Sequence, residues 1–115
     1  HLLNTDWPKV KQSRKELEKC IKKSRDNLTD QLFTILSDDK TAPISEIPRT
    51  GLSTDWEITL SSIFIKSKYA YGTRSSTVFT IGYDNSIFFE ERSFDSNYSE
   101  INRKSIKLAP YDEKK

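Results

Sequence analysis

The sequence has one cysteine, Cys20, in 115 residues. That excludes an internal disulfide framework and favours a reducing compartment. It has one histidine, His1, at the very start. Without a second histidine or a cysteine pair, no metal site is expected from this chain. No apolar run approaches the ~20 residues a membrane helix needs. Charge of one sign is scarce too: 19 basic against 17 acidic groups leave a net charge of only +2. This gives no electrostatic case for nucleic acid or an anionic membrane as partner. Hydrophobic residues make up 34% and charged residues 31% of the chain, so any core is thin. No signal peptide and no initiator Met opens it. His1-Leu2-Leu3 begins mid-phrase, as a fragment of a longer protein would.

What is present divides into a helical hairpin at 1–37, a linker at 38–53, and a short helix with antiparallel strands at 54–110. Thr5 or Asp6 can cap a first helix at about 7–24, with Pro8 in its first turn, where a missing N–H costs nothing. Val10, Leu17 and Ile21 lie on one face, with Arg14 filling the gap, and Trp7 can staple the entry to the core. Asp26-Asn27 can cap a second helix at about 28–37, whose apolar stripe is Leu28, Leu32, Ile35 and Leu36. The brief break at 25–27 favours antiparallel helices. Pro43, Pro48 and Gly51 punctuate the aperiodic stretch 38–51. Ser53-Thr54-Asp55 then caps a short helix at about 54–61, carrying Trp56, Leu60 and Ile63. Ile63-Phe64-Ile65 reads as extended from 62, because the run is β-branched and aromatic. A β-hairpin follows at about 73–82 and 86–94, turned by Tyr83-Asp84-Asn85. Ile106 and Leu108 alternate with polar neighbours in an edge strand at about 103–109, stopped by Pro110. The tail Asp112-Glu113-Lys114-Lys115 is expected to fray. The fold class is α+β: a helical hairpin with an antiparallel hairpin or meander.

The densest polar cluster is Tyr71-Gly72-Thr73-Arg74-Ser75-Ser76-Thr77. Gly72 permits a tight turn or a close backbone approach. Arg74 offers a planar fork for a carboxylate or phosphate, and Ser75, Ser76 and Thr77 add hydroxyls. The cluster reads either as a polar-ligand site or, more plainly, as Arg74 bonded to Glu90 or Glu91 across the hairpin. Neighbours on a strand point to opposite faces, so Glu90 and Glu91 cannot act as a carboxylate pair. An inward-facing member would need Arg74 or Arg92 as its partner. Cys20 reads as a half-buried core thiol without a neighbouring base. Lys9, Lys11, Lys15, Lys19, Lys22 and Lys23, interrupted by Glu16 and Glu18, read as a solvated face.

The run from Tyr71 to Val78, followed by Phe89-Glu90-Glu91-Arg92-Ser93-Phe94, resembles the C-terminal signature of the NRDE family, the family of transport and Golgi organisation protein 2. The opening Thr5-Asp6-Trp7-Pro8-Lys9-Val10 is similar to that family's Thr-Pro-Trp-Pro-Lys phrase, with Asp6 in place of the first proline. Gly51-Leu52 to Trp56-Glu57 and Ser61 to Ile65 resemble the segment before the signature, so the similarity spans about residues 1–95. The resemblance implies the C-terminal part of an αββα sandwich like that of N-terminal nucleophile hydrolases, with its nucleophilic cysteine and Asn-Arg-Asp-Glu motif in an N-terminal half absent from this sequence. It implies an intact protein that traffics haem or handles lipid or acyl-CoA, in the cytoplasm or mitochondria. Haem is then a ligand of the intact protein; no haem ligand carries over to this chain, and no cofactor is expected of the fragment alone. Tyr71, Gly72, Thr73, Arg74, Ser75, Ser76, Thr77, Glu91 and Arg92 would line or brace a ligand pocket without a catalytic role. The alternatives are part of a cysteine amide hydrolase and a structural half with no ligand. Partners implied are the missing N-terminal half, a small amphipathic ligand, and a second copy, since Phe79, Ile81, Phe88 and Phe89 would lie exposed.

Overall fold

In a computed structural model, residues 5–23 and 27–110 are described. His1 to Asn4, Asp26 with most of the interhelical break, and the tail beyond Pro110 lie outside them. The chain divides into two units, His1–Thr73 and Arg74–Lys115.

The first unit is helical. Helix α1 spans Pro8–Lys22, with Pro8 in its first turn and Trp7 at its N-cap. The Trp7 carbonyl accepts from the Val10 and Lys11 amides at 3.0 and 3.2 Å. Neither Thr5 nor Asp6 caps the helix: the proline fixes where the first turn begins, so Trp7 takes the N-cap position and is buried. The expected inner face does not materialise, because Leu17 is 41% and Ile21 56% exposed. No α1 residue is buried. Its N-terminal half is anchored instead by Lys9, whose Nζ donates to the Leu60 carbonyl at 2.7 Å and lies 5.1 Å from the centre of the Trp7 ring. Desolvation holds the Lys9 amine below its ordinary pKa.

Helix α2, Leu28–Leu36, packs on α1. Asn27 stands at its N-cap in the left-handed region, φ 60°, and makes no side-chain capping bond. The buried residue of α2 is Phe33, not a member of the aliphatic stripe. It sits ~100° round the helix from Leu32, and its larger apolar surface takes the inner position.

The stretch after α2, read from the sequence as a linker, carries local structure. A 3₁₀ turn covers Ile44–Glu46, and Ile47 is buried. The Ala42 amide donates to Ser61 Oγ at 2.8 Å. The Phe64 amide reaches the Asp38 carbonyl at 2.8 Å. Helix α3, Thr54–Thr59, starts at Ser53, whose Oγ accepts from the Trp56 amide at 3.3 Å. Glu57 on α3 is fully buried. Its Oε2 accepts from the Thr50 amide at 2.6 Å and the Thr50 hydroxyl at 3.1 Å, while Oε1 lies 3.1 Å from Arg49 Nε. Beyond α3 the chain neither continues the helix nor extends from 62 as expected. Buried Ser61 and Ser62 turn it, donating to the Ile58 and Phe64 carbonyls at 2.6 and 2.7 Å. These hydroxyls compete with regular backbone pairing, and Phe64 enters the core.

The second unit is an antiparallel sheet, order β1-β2-β3. Strand β1 is Ser75–Ile81, β2 is Ile87–Phe94 and β3 is Glu100–Leu108. The meander matches the expected α+β class, and β3 is an edge strand that begins earlier than expected. Register aligns Phe79, Phe89 and Ile106 in one row, Ile81, Ile87 and Leu108 in the next, and Thr77, Glu91 and Lys104 in a third. All nine share one face, because side chains two apart along a strand point the same way. Phe88 pairs with Thr80 and so faces the other side, with Val78 and Glu90. Its place among the expected exposed apolar residues is corrected by this pleat.

Both turns are built alike. Gly82 N donates to the Ser86 carbonyl and Asn85 N to the Gly82 carbonyl; Asp95 N donates to the Ser99 carbonyl and Tyr98 N to the Asp95 carbonyl. Asn85 and Tyr98 occupy the left-handed region, φ 67° and 64°. These are three-residue hairpin loops, each closing on a left-handed residue.

Candidate functional site

The residues of the signature cluster are divided between the two units. Tyr71, Gly72 and Thr73 end the first unit, while Arg74, Ser75, Ser76 and Thr77 open the second. In the sheet, the Arg74 carbonyl accepts from the Phe94 amide at 2.8 Å, extending the β1–β2 pairing. The Arg74 guanidinium lies 5.3 Å from the centre of the Tyr98 ring. Glu90 is buried, and Arg92 Nε meets it at 2.7 Å from the same face, with the Ser105 hydroxyl at 2.8 Å. Burial alone would raise the Glu90 carboxyl; the Ser105 and Arg92 hydrogen bonds and the charges of Arg92 and Arg103 outweigh it, so the net direction is down. Glu91 points to the opposite face and accepts from Thr77 Oγ1 at 3.4 Å. Ser75 stands opposite Ser93 in the ladder, and Ser76 opposite Arg92. These contacts of Arg74, Arg92 and Glu91 lie within the sheet.

A cleft does form in the first unit, of about 380 Å³, lined by Ser53, Asp55, Trp56, Ile58, Thr59, Ser67, Lys68 and Tyr69. One wall is α3. The other is the loop 65–73, which closes on itself. The Thr73 amide donates to the Ile65 carbonyl at 2.9 Å, and the Ile65 amide to Thr73 Oγ1 at 2.8 Å. Inside the loop, the Ser67 hydroxyl bonds the Tyr71 carbonyl and accepts from the Tyr69 amide at 3.1 Å. Thr73 and Ser67 thereby hold Tyr69 against Trp56: the rings stack with centres 5.4 Å apart and planes 28° apart. Tyr71 meets Trp56 edge-on at 6.1 Å and 80°. Lys68 Nζ lies 5.8 Å from the Tyr69 ring centre. The result is an aromatic wall rimmed by one carboxylate, one ammonium and several hydroxyls. It can take a flat apolar body that carries polar ends, since both tyrosines remain largely exposed.

A second cavity, about 370 Å³, opens between the start of α1 and the stretch after α2, beside Lys9, Gln12, Asp38 and Glu46. Among the described residues, no cluster of three or more His, Cys, Asp or Glu side chains could hold a metal ion. Cys20 is half-buried on α1.

Over residues 1–96 the chain matches the family model for Transport and Golgi organisation 2. The chain belongs to the Transport and Golgi organisation 2 family. No curated protein matches it. The family match takes in the three helices, the aromatic cleft, the signature and strands β1 and β2, and stops before β3. Three cleft residues central to this geometry, Trp56, Lys68 and Tyr69, were not singled out as site residues from the sequence. Their signal was present: Lys66-Ser67-Lys68-Tyr69-Ala70-Tyr71 sets two aromatics close together in a stretch without helical or strand periodicity. No helix among the described residues is long and apolar enough to cross a membrane.

Proposed function

We propose that this part of a Transport and Golgi organisation 2 family protein holds a small amphipathic metabolite, of the flat, acid-bearing kind that haem represents, and that the intact protein binds and passes it on. The observation that carries the reading is the stacked Trp56–Tyr69 pair on the wall of the cleft. A planar apolar ring gains from lying against exposed aromatic faces. Its acidic ends would find Lys68 and the hydroxyls of Ser53, Thr59 and Ser67 at the rim. Asp55 disfavours a ligand acidic along its whole edge, which selects for an amphipathic one. The signature residues Thr73 and Tyr71 serve by holding the loop and the edge of the Trp56 ring.

Absorbance titration with haem, on the intact protein and on this chain side by side, tests the reading. Both are expected to bind, and Tyr69→Ala is expected to weaken binding about tenfold, the loss of one aromatic contact of ~1.5 kcal/mol. Binding by the intact protein alone, or binding unaffected by Tyr69→Ala, would place the ligand elsewhere.

A further inference from the structure

The second cavity, about 370 Å³ between the first turn of α1 and the stretch 38–46, shares no lining residue with the aromatic cleft. This chain itself holds the walls in place. The Ala42 amide on Ser61 Oγ and the Phe64 amide on the Asp38 carbonyl pin the stretch at two points, and Lys9 on the Leu60 carbonyl pins α1. Lys9 is the unusual lining residue. It stands in the first turn of a helix, where the free N–H groups disfavour positive charge, and no acidic residue in that turn offsets it. Burial strips away part of its water. Its contacts among the described residues are a neutral carbonyl and the face of Trp7, with no carboxylate at ion-pair distance. A desolvated ammonium so placed is costly unless an anion meets it. Leu60 takes one of its three N–H donors, which leaves two for a ligand.

We infer that this cavity is a second binding site, for a small zwitterion of the amino-acid kind. The ligand's carboxylate meets Lys9, and its ammonium meets the opposite wall, where Asp38 and Glu46 supply carboxylates. Asp38 keeps one oxygen on the Lys40 amide at 3.0 Å, so its other oxygen is available. Glu46 has no ion pair among the described residues. The lining charges select the class of ligand. Lys9 and Lys40 balance Asp38 and Glu46, so a dianion such as phosphate would meet two like charges. A plain amine would leave Lys9 unmatched, and a plain carboxylate would leave the acidic wall unmatched. Pro8, Pro43 and Ile63 offer an aliphatic side chain an apolar surface.

The inference is independent of the aromatic cleft and of the ligand proposed for it. Calorimetric titration of the intact protein and of this chain tests it with L-leucine, isocaproate, isopentylamine and inorganic phosphate. These carry both charges, the carboxylate alone, the ammonium alone and a dianion. L-leucine is expected to bind both proteins, and each of the other three at least about tenfold more weakly, as the loss of one charge-assisted hydrogen bond gives. Lys9→Met keeps the aliphatic stem and is expected to weaken leucine binding to the same degree; circular dichroism checks that it folds. Asp38→Asn combined with Glu46→Gln neutralises the acidic wall and keeps an oxygen for the Lys40 amide. This double variant is expected to weaken leucine and leave isocaproate unchanged, and it carries the test if Lys9→Met does not fold. Acetylation with acetic anhydride, read by mass spectrometry, locates the ligand: leucine is expected to slow labelling of Lys9 and not of exposed Lys15. Leucine that fails to bind the intact protein overturns the inference. So does phosphate that binds as tightly as leucine, or leucine binding that either folded variant leaves unchanged. So too does a Lys9 far less reactive in the intact protein than in this chain without ligand, since the rest of the protein then supplies its counter-charge.

Discussion

Glu57 is the residue on which the loop before α3 depends. Its buried carboxylate takes both hydrogen-bonding groups of Thr50 and the charge of Arg49. The Thr50 amide bond is the largest cause holding the carboxyl below its ordinary pKa; burial opposes it, and the Thr50 hydroxyl and Arg49 add to the lowering. The folded state therefore prefers the ionised form. That contribution is complete above the unfolded carboxylate value of about 4.3 and is lost as pH falls through the lower folded value. Glu57→Gln is expected to lower the melting temperature at pH 7 and to flatten its fall below about pH 4.5, read by thermal unfolding across that range. A glutamine can keep its carbonyl oxygen on the two Thr50 donors only by turning its N–H₂ toward Arg49 Nε, donor against donor, so the variant loses the Arg49 contact as well as the charge. Asp39, Asp84, Glu90 and Glu100 are shifted in the same direction, so the variant retains an acid-labile remainder.

Among the elements, the β1–β2 turn is the most exacting. Asp84 Oδ1 accepts from the Ser86 amide at 2.9 Å and the Ser86 hydroxyl at 2.6 Å. A Cβ on Gly82 would stand 2.7 Å from that same Asp84 oxygen and 2.8 Å from Ser86 Oγ. Gly82→Ala is therefore expected to displace the Asp84 cap and cost about 1 kcal/mol, measured by urea unfolding. This turn was legible in the sequence, since Tyr83-Asp84-Asn85 between two β-branched runs allows little else. So were the three helices and the third strand, each carried by spacing or by a capping residue. The stretch 38–51 was not, because its order comes from distant partners, Ser61, Phe64 and Glu57, which no local period announces. Ile63-Phe64-Ile65 misled for the same reason: its β propensity lost to the hydroxyls of Ser61 and Ser62. The face of α1 misled in the opposite sense, since spacing marks which residues could be buried and not whether anything covers them. The signature was legible as a cluster, but its division between a loop clasp and a strand start was not, because consecutive residues carry no mark of where a compact unit ends.

At the scale of the whole molecule, the groups to weigh for catalysis are the chain's one cysteine and one histidine. Cys20 lies on α1, apart from the aromatic cleft, and the chain's sole histidine is His1. The purified chain is expected to release no amine from amide substrates, and turnover that Cys20→Ser abolishes would contradict this. The two hairpin loops have a further consequence, in time. Every strand pairing in the sheet joins chain neighbours through a three-residue loop, so no long segment has to be threaded or closed before a pair can form. Local pairings of this kind zip in microseconds, whereas remote ones wait on a slow search. The sheet is thus the portion of this chain equipped to assemble first.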